Sequence, residues 1–443
     1  MTPGRLFVFL ILVVGAVGTV VNGAVFYVRL FYVGAGLLVI AWLMTFLSLR
    51  GIRVERQSRS QRGSVGDIFE EHFDIYNTSL FPTLWLEIAN ESPIPNTAGS
   101  RVLTLLRGRQ KRSYTARSWL TTRGGFALGP TRLTSGDPFG IFRVTRVLPP
   151  KDRLVVLPMQ FRMEQFVSPA GLLPGGKAIR RKSLDITPHA AGVREYVAGD
   201  PMKRIHWPTS IRRDQLMVKE FEQDPQSEVW FFLDTHLSAH SAKPIAESAA
   251  PPIDDLLLLR RHKIKLPPST MEYAVTITAS LAHYFLQQRR SVGMVTASER
   301  EYEIIPAERS ERQEAKMLEA LAFLQAASTF TLPGLVTAQM GQLPQGSSAI
   351  LITPMVWHEI LLAVDSLQRR SLRPVVILLM SQSFGNRASN EQLAQDLAAR
   401  RVPVCKVYCD ADLAETLSSF TNNNFSQDAA WRNRPIPQFS PST

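Results

Sequence analysis

The chain contains very little cysteine, with only Cys405 and Cys409 among 443 residues. Both lie in the run RVPVCKVYCD, and on a β-strand two residues at this spacing share one face at about 13 Å. That separation is too long for a disulfide between them. No histidine is close in sequence, so a zinc site is not expected either. The sequence therefore excludes a disulfide-stapled protein and predicts two buried thiols that act as small apolar side chains.

Familiar catalytic motifs are also missing. The chain has no G-x-x-x-x-G-K-[ST] phosphate loop, no H-E-x-x-H zinc motif and no G-x-S-x-G nucleophile elbow. The run LLPGGKAIRRK at 172–182 lacks both the phosphate-loop spacing and a preceding strand. Serine, histidine and aspartate are present, but sequence alone does not show whether they meet. We predict a protein without catalytic activity of its own.

Charge is absent from two long runs near the start, Leu6–Val21 and Leu30–Leu49. A helix needs about 17–25 apolar residues to cross the hydrocarbon core, and each run is near that length. Asn22-Gly23 supplies a turn between them. A cleaved signal peptide followed by a single anchor is the alternative, but no small-x-small cleavage site precedes the second run. Residues 1–50 are therefore predicted to form two transmembrane helices.

Basic residues predict the orientation of this hairpin. Arg50, Arg53, Arg56, Arg59 and Arg62 follow the second run, and only Glu55 opposes them. The positive-inside rule keeps this flank in the cytoplasm. We therefore predict a multi-pass protein of the inner (cytoplasmic) membrane with its soluble domains in the cytoplasm.

A second surplus of positive charge lies between residues 101 and 153, where 12 Lys or Arg oppose two Asp. A face toward anionic membrane lipid or an acidic partner explains this surplus better than a nucleic acid does. The membrane anchor and the lack of interleaved aromatic and basic residues both argue against nucleic-acid binding.

The soluble part divides into four segments by pattern. Short alternating runs broken by turn residues predict a small all-β sandwich at 51–160. A polar connector follows at 161–227. Continuous apolar strands alternate with amphipathic helices over 228–412, which predicts a doubly wound α/β domain around a parallel sheet. The Asn-, Ser- and Pro-containing end, 413–443, is predicted to be a disordered tail.

The densest mixture of charges lies in GVREYVAGDPMKRIHWPTSIRRDQLMVKEFE, residues 192–222. Asp200 and Pro201 are typical of a helix start, since Asp caps free amides and Pro needs no donor there. Arg204 follows Asp200 by one helical turn, where the two can pair. Pro208 cannot lie inside a continuous helix and is expected to begin a second short one. Two interpretations stay open: a charge-paired structural knot, which we favour, and a binding surface for a phosphate or an acidic peptide.

This segment resembles the signature of a bacterial family, domain of unknown function 58 (DUF58). The family pattern runs Arg-x-Tyr-x-x-Gly-Asp, Arg-x-Ile-x-Trp, Ser-x-Arg and Leu-x-Val-Lys-x-x-Glu. The matching positions are Arg194, Tyr196, Gly199, Asp200, Arg204, Ile205, Trp207, Ser210, Arg212, Leu216, Val218, Lys219 and Glu222. The stretch RGGFALGPTRLTSGDPFGIFR at 123–143 is similar to the end of the β-domain in these proteins. The N-terminal hairpin matches as well, so the resemblance covers most of the chain.

The resemblance implies a fold and a role. Members commonly accompany MoxR-type AAA+ ATPases and are taken to assemble or activate other complexes. Their α/β unit is similar to a von Willebrand factor A domain. By this resemblance the matched motif residues, above all Arg194, Tyr196, Gly199, Asp200, Arg204, Trp207, Ser210, Arg212, Lys219 and Glu222, are interaction or inter-domain determinants.

A von Willebrand factor A domain binds Mg²⁺ through an Asp-x-Ser-x-Ser loop, and this chain has a degenerate form of it. Asp234 and Ser238 hold the first and last positions, but His236 replaces the first serine. An imidazole is poorly matched to Mg²⁺, which prefers oxygen ligands. Thr353 and Pro354 follow the strand after which such domains often have a second Asp. We therefore predict no cofactor, with Asp234 and Ser238 as the residues of any weak Mg²⁺ site.

These observations predict a membrane-anchored cytoplasmic adaptor or scaffold that works with a MoxR-type AAA+ ATPase. The alternative is a membrane-associated hydrolase in cell-wall or protein processing. The alternative requires Glu195, Asp200 and His206 to converge in an open pocket, whereas the adaptor does not.

Overall fold

The computed structural model describes residues 3–166, 190–197, 202, 205–221, 228–244 and 265–421. The chain forms two compact units. The first is made mainly by Met1–Met159, and the second by Gln160–Pro244, Leu266–Met317 and Leu324–Thr443.

Two apolar helices open the first unit, α1 at Pro3–Asn22 and α2 at Val25–Ser48. Gly23 joins them at a φ of +58°, a conformation that costs glycine little. At Gly15, a Cβ would lie 2.8 Å from the backbone nitrogen of Phe31, so this glycine lets the helices approach closely. Both helices are long and apolar enough to cross a membrane, and most of their side chains are exposed rather than packed in a core. The two predicted N-terminal apolar helices are confirmed.

Ten strands follow within residues 52–157, and they form three sheets. The sheet orders are β1-β3-β6, β5-β4-β8-β9 and β2-β10-β7. Their bounds are β1 Ile52–Ser58, β2 Arg62–Ser64, β3 Ile68–Asn77, β4 Thr83–Asn90, β5 Arg101–Leu106, β6 Lys111–Trp119, β7 Gly124–Ala127, β8 Thr131–Gly136, β9 Arg143–Leu148 and β10 Arg153–Leu157.

Strand alternation builds the core of this β-domain. Phe73 and Ile75 of β3 point the same way and pack with Leu86 and Ile88 of β4, so the first two sheets share one apolar core. A second cluster that includes Leu154 of β10 fills the region near the small third sheet. The sheet-rich body predicted after the hairpin is therefore present.

A six-stranded sheet forms the centre of the second unit, in the order β15-β14-β13-β16-β17-β18. All neighbours pair in parallel except β15, which runs antiparallel at one edge. The strands are β13 Val229–Leu233, β14 Val292–Ala297, β15 Tyr302–Glu308, β16 Ser348–Thr353, β17 Arg373–Leu379 and β18 Val404–Val407.

Helices cover both faces of this sheet. Phe231 and its neighbours Trp230 and Phe232 point to opposite faces of β13. Phe231 contacts Phe285 of one helix, whereas Trp230 and Phe232 pack in a cluster with Leu335. The helices of this unit that follow β13 are α4 Thr270–Gln287, α5 Glu311–Phe323, α6 Leu332–Gln339, α7 Ile360–Arg369 and α8 Glu391–Ala399. Burial on both faces explains why the strands read as continuous apolar runs.

Two sequence expectations need correction near the end of the chain. Residues 413–421 are helical (α9), with Leu413 and Leu417 buried, so the predicted disordered tail starts too early. The remainder, 422–443, lies outside the described residues. Cys405 is buried in β18 as expected, but Cys409 follows the end of that strand and is partly exposed.

Candidate functional site

The predicted motif folds around an antiparallel pair of strands. These are β11 at Ala190–Glu195 and β12 at Met217–Phe221, with Glu195 opposite Met217. A short helix, α3 at Trp207–Arg213, lies between them, and we call it the motif helix. Pro208 occupies its first turn, where a missing amide hydrogen costs nothing. The helix ends at Asp214, whose φ of +52° reverses the chain toward β12.

Ser210 fixes the motif helix to the strand that follows it. Its hydroxyl donates to the carbonyl of His206 at 3.1 Å and accepts from the Met217 amide at 2.9 Å. The His206 amide in turn donates to the carbonyl of Met217 at 2.8 Å. Because Ser210 is buried, its hydrogen bonds are shielded from water and hold the helix in place. Ser210 is therefore a structural residue of the motif.

The same helix presents apolar side chains to solvent. Trp207 is 58% exposed and Ile211 is 77% exposed. Residues four apart lie on one face of a helix, so the two side chains are neighbours. Val197, Met202 and Leu216 are exposed in the flanking segments. We call Trp207 and Ile211, with these three residues around them, the motif patch.

Several predicted site residues lie on the motif helix and on the paired strands. Trp207, Ser210 and Arg212 belong to the motif helix, with Arg212 exposed in its last turn. Tyr196 follows β11, and its amide donates to the Leu216 carbonyl at 2.8 Å. Arg194 and Lys219 lie on the paired strands, opposite Val218 and Val193 respectively.

Other predicted site residues lie outside the described residues, namely Gly199, Asp200, Arg204 and Glu222. The Asp200–Arg204 pair therefore stays a prediction. The charge-paired knot and the surface for a phosphate or an acidic peptide both stay predictions, because Ser210 holds the motif by uncharged hydrogen bonds and the motif patch is apolar. Sequence reasoning missed Ile211, although its spacing of four from Trp207 on a polar helix was a readable signal.

The degenerate metal loop lies at the carboxyl end of β13. Asp234 is fully buried there, and both of its carboxylate oxygens accept hydrogen bonds. The Thr353 hydroxyl donates to Oδ2 at 2.5 Å, and the His236 amide donates to Oδ1 at 3.0 Å. Ser238 is exposed, and its hydroxyl lies 2.8 Å from Nδ1 of His236 instead of facing the carboxylate.

This donor set does not suit Mg²⁺. A hard cation needs several oxygen ligands around one point, and here one carboxylate is already satisfied by a hydroxyl and an amide. Among the described residues, no cluster of three or more His, Cys, Asp or Glu could hold a metal ion. The chemistry of this loop is that of a buried hydrogen-bond network.

Among the described residues, the loop after β13 forms no Ser-His-Asp triad that would support the hydrolase alternative. Asp234 bonds to the backbone amide of His236 rather than to its ring, so the Ser238–His236 pair lacks an orienting carboxylate there. Nδ1 of His206 lies 2.7 Å from the Thr209 hydroxyl, within its own helix. Asp200, the third residue that the hypothesis requires, lies outside the described part of the chain.

A shallow cavity of about 390 Å³ lies at the carboxyl ends of β17 and β18. Its lining includes Gln382, Ser383, Ser389, Glu391 and Tyr408. Nearby, burial raises the pKa of the Tyr273 phenol, whose oxygen accepts from the Asp410 amide at 2.9 Å. This polar lining has one carboxylate, Glu391, which pairs with Lys406.

Comparison with known proteins agrees with the resemblance carried by the motif. Residues 192–243 match the family model described as "Protein of unknown function DUF58". The uncharacterized protein YeaD of Bacillus subtilis (strain 168) is 24% identical over 302 residues, which cover 66% of this chain and 67% of YeaD. Both matches support the DUF58 family. Neither match identifies a partner, a cofactor or a reaction.

Similarity to solved structures is weak. The CARDB domain of a Pyrococcus furiosus protein has a TM-score of 0.17 and 10% identity, over 24% of this chain and 91% of that domain. An exo-β-N-acetylglucosaminidase from Vibrio harveyi also has a TM-score of 0.17, with 7% identity over 74% of this chain and 57% of the enzyme. Similarities at this level carry no inference about fold or function.

Proposed function

We propose that this protein is a membrane-anchored adaptor, and that the motif patch docks a protein partner. The helical hairpin holds the chain in the cytoplasmic membrane, and the soluble units project into the cytoplasm. The adaptor has no catalytic activity of its own. It brings a partner to the membrane surface, where that partner acts on other protein complexes.

The hairpin supports the anchor. Apart from Arg5 and Arg29, which lie near the starts of α1 and α2, its outward side chains are mostly apolar, with Leu6, Phe9 and Phe26 among those that are well exposed. Such a surface is stable in lipid and unfavourable in water. The five arginines within residues 50–62 support a cytoplasmic location for the soluble units.

The motif patch is the observation that carries the docking proposal. Trp207 and Ile211 are large apolar side chains on a helix that is held rigidly by Ser210. Tryptophan is enriched among the residues that contribute most to protein interfaces. A rigid helix loses little conformational entropy on binding, which favours its use as a docking element. The patch also lies within the segment that the DUF58 model matches.

A MoxR-type AAA+ ATPase is the partner that we propose, from the resemblance to the family. The α/β unit supports this in one respect. Its strand order changes direction beside β13, the arrangement of doubly wound domains such as the von Willebrand factor A domain. Arg212 and Arg213 at the end of the motif helix add positive charge for an acidic surface on the partner.

Affinity purification of the full-length chain from its native host tests this function. The wild-type chain is expected to recover an AAA+ ATPase, and the double variant Trp207→Ser, Ile211→Ser is expected to recover about tenfold less. Leu362→Ser is the matched control, because Leu362 is an exposed apolar residue on a different helix of the same unit.

The purification separates the possible results clearly. Equal recovery by the wild type, the control and the double variant would show that the motif patch is not the docking surface. Recovery of no ATPase by the wild type, with or without ATP, would remove the proposed partner.

A further inference from the structure

A turn of the β-domain packs against the side of the helical hairpin. This turn joins β8 to β9. Because it contacts the helical hairpin formed by α1 and α2, we call residues 137–142 the hairpin turn. Ile141 is buried in one cluster with Val8 of α1 and Ala41 of α2. The Arg5 Nε–H donates to the Ile141 carbonyl at 2.6 Å. The sequence pattern SGDPFGIF therefore makes a contact with the membrane helices themselves.

The hairpin turn is rigid before it meets any other molecule. Asp137 is buried, and its carboxylate accepts the amide hydrogens of Phe139, Ile141 and Phe142 at 2.8, 3.2 and 2.5 Å. These hydrogen bonds leave the Phe139 side chain at the tip, where it is 51% exposed. The fixed turn therefore presents an aromatic side chain beside the helical hairpin without any rearrangement.

The contact between the hairpin turn and the helices lies at a definite depth along the helical hairpin. At 1.5 Å per residue, Val8 lies about 8 Å from the start of α1, and Ala41 lies about 10 Å from the end of α2. The 20 residues of α1 span about 30 Å, which is the thickness of the hydrocarbon core. A hydrocarbon core that spans the whole of α1 therefore reaches the level of Ile141 in the hairpin turn.

A second turn of the β-domain lies at the same end of the hairpin. It joins β3 to β4 and presents Leu80, 72% exposed, and Phe81, 57% exposed. The Thr78 amide donates to the Gly51 carbonyl at 2.8 Å, and the Thr83 hydroxyl donates to the Ser48 carbonyl at 2.9 Å. These bonds fix the second turn beside the end of α2.

Exposed arginines surround both turns. The Arg50 guanidinium lies 3.7 Å from the centre of the Phe46 ring, and the Arg109 amide donates to the Ser79 carbonyl at 3.0 Å. Arg107 and Arg143 are exposed next to the second turn and the hairpin turn respectively. Apolar tips within a rim of arginines match the boundary between acyl chains and anionic headgroups.

We propose that the β-domain sits on the bilayer with both turns inserted, Phe139 from one and Leu80 and Phe81 from the other. The ligand of this surface is anionic phospholipid in the leaflet that holds the start of α1 and the end of α2. This inference rests on the proposed membrane anchor. It adds that the β-domain is a lipid-bound part of the anchor rather than a freely suspended domain.

Depth-dependent fluorescence quenching tests this arrangement in the full-length chain. Single cysteines are introduced as Leu80→Cys and Phe139→Cys in a Cys405→Ala, Cys409→Ser background and labelled with an environment-sensitive dye. The protein is placed in nanodiscs of phosphatidylcholine and phosphatidylglycerol that carry a spin label near the headgroups. Trp42→Cys reports on the span, and Ser60→Cys is the matched control beyond the far end of β1.

The expected result is strong quenching, about twofold or more, at positions 42, 80 and 139, and none at position 60. Quenching at 42 with neither turn, or only one of them, quenched would overturn the inference and leave the anchor intact. Absence of quenching at 42 would overturn the proposed anchor and this inference together. Circular dichroism spectra equal to the wild type establish that each labelled chain is folded.

Discussion

The Thr353 hydroxyl donates a hydrogen bond of 2.5 Å to the buried Asp234 carboxylate, at a position where a metal-binding A domain often has a second aspartate. The threonine hydroxyl and the His236 amide replace hydrogen bonds that this carboxylate would make to water. This pair therefore explains how the centre of the α/β unit is stable with an isolated buried carboxylate.

Restoring oxygen ligands at this position should make the stability depend on metal. In the double variant His236→Ser, Thr353→Asp, two carboxylates face each other and repel, so the melting temperature should fall. Adding Mg²⁺ should raise it again, because a ligand that binds the folded state stabilises it. Thermal unfolding of the wild-type chain should be insensitive to Mg²⁺, and a clear Mg²⁺-dependent rise in the wild type would contradict our account of the loop.

The buried ion pair of the β-domain should be sensitive to the loss of one partner. Arg56 Nε lies 2.6 Å from Glu71 Oε1, and the Glu71 side chain is 1% exposed. Arg56→Met leaves an uncompensated buried charge, so we expect a loss of about 3–5 kcal/mol in the free energy of unfolding. Glu91→Gln is the control, because the exposed Glu91–Arg132 pair should contribute at most about 1 kcal/mol.

Urea unfolding measures both variants. The double variant Arg56→Met, Glu71→Gln should recover part of the loss, since it removes the unpaired charge. Equal destabilisation by Arg56→Met and Glu91→Gln would show that burial does not decide the strength of these pairs.

Asp74 should make the β-domain sensitive to acid. Hydrogen bonds from the Ser113 hydroxyl and from Lys111 hold the pKa of this carboxyl below its usual range. Because the folded-state pKa is lower than the unfolded one, the stabilisation is present above about pH 4 and is lost as the pH falls through the folded-state pKa. Melting temperatures between neutral pH and pH 3 should fall less steeply for Asp74→Asn than for the wild type.

Glu87→Gln provides the comparison for this acid response, since Glu87 is an exposed carboxylate on β4 of the same domain. It should follow the wild-type profile. If Asp74→Asn and Glu87→Gln gave the same slope, the Asp74 hydrogen bonds would not contribute to the pH dependence.

The two thiols should differ in reactivity. Burial raises the pKa of Cys405 to about 12, so its nucleophilic thiolate is scarce at neutral pH. Burial and the nearby Asp410 also raise the pKa of Cys409, but this thiol is partly exposed. Iodoacetamide at pH 8 should modify Cys409 slowly and leave Cys405 unmodified until the chain unfolds, which peptide mass spectrometry measures. Rapid alkylation of Cys405 in the folded chain would contradict its burial.

Sequence pattern predicted those parts of the fold in which burial follows directly from hydrophobicity. The uncharged runs predicted the two N-terminal helices, and the apolar runs VWFFL and SAILIT predicted the buried strands β13 and β16. The helix at 413–421 was missed because the polar residues after it masked the spacing of Leu413 and Leu417. Its burial depends on packing against the rest of the unit, which local composition does not show.

The candidate site contains features that local sequence does not predict. The spacing of Trp207 and Ile211 shows that they share a helix face, but an apolar residue on a helix predicts burial, so their residue type did not show that this face is exposed. The role of Ser210 depends on Met217, seven residues later. The Ser210 hydroxyl accepts a hydrogen bond from the Met217 amide only because the chain reverses at Asp214. Motif spacing identified the segment, and three-dimensional contacts were needed to separate its structural residues from its exposed ones.

The short connection between α2 and β1 has a mechanical consequence. Only Leu49, Arg50 and Gly51 separate the helix from the strand, and hydrogen bonds from Thr78 and Thr83 cross this junction. If the hairpin spans the membrane as proposed, this short junction couples it to the β-domain, so a tilt or rotation of the hairpin in the bilayer would turn the β-domain as well. Changes in membrane thickness or tension would then reach the β-domain as a change in its angle rather than being absorbed by a flexible linker.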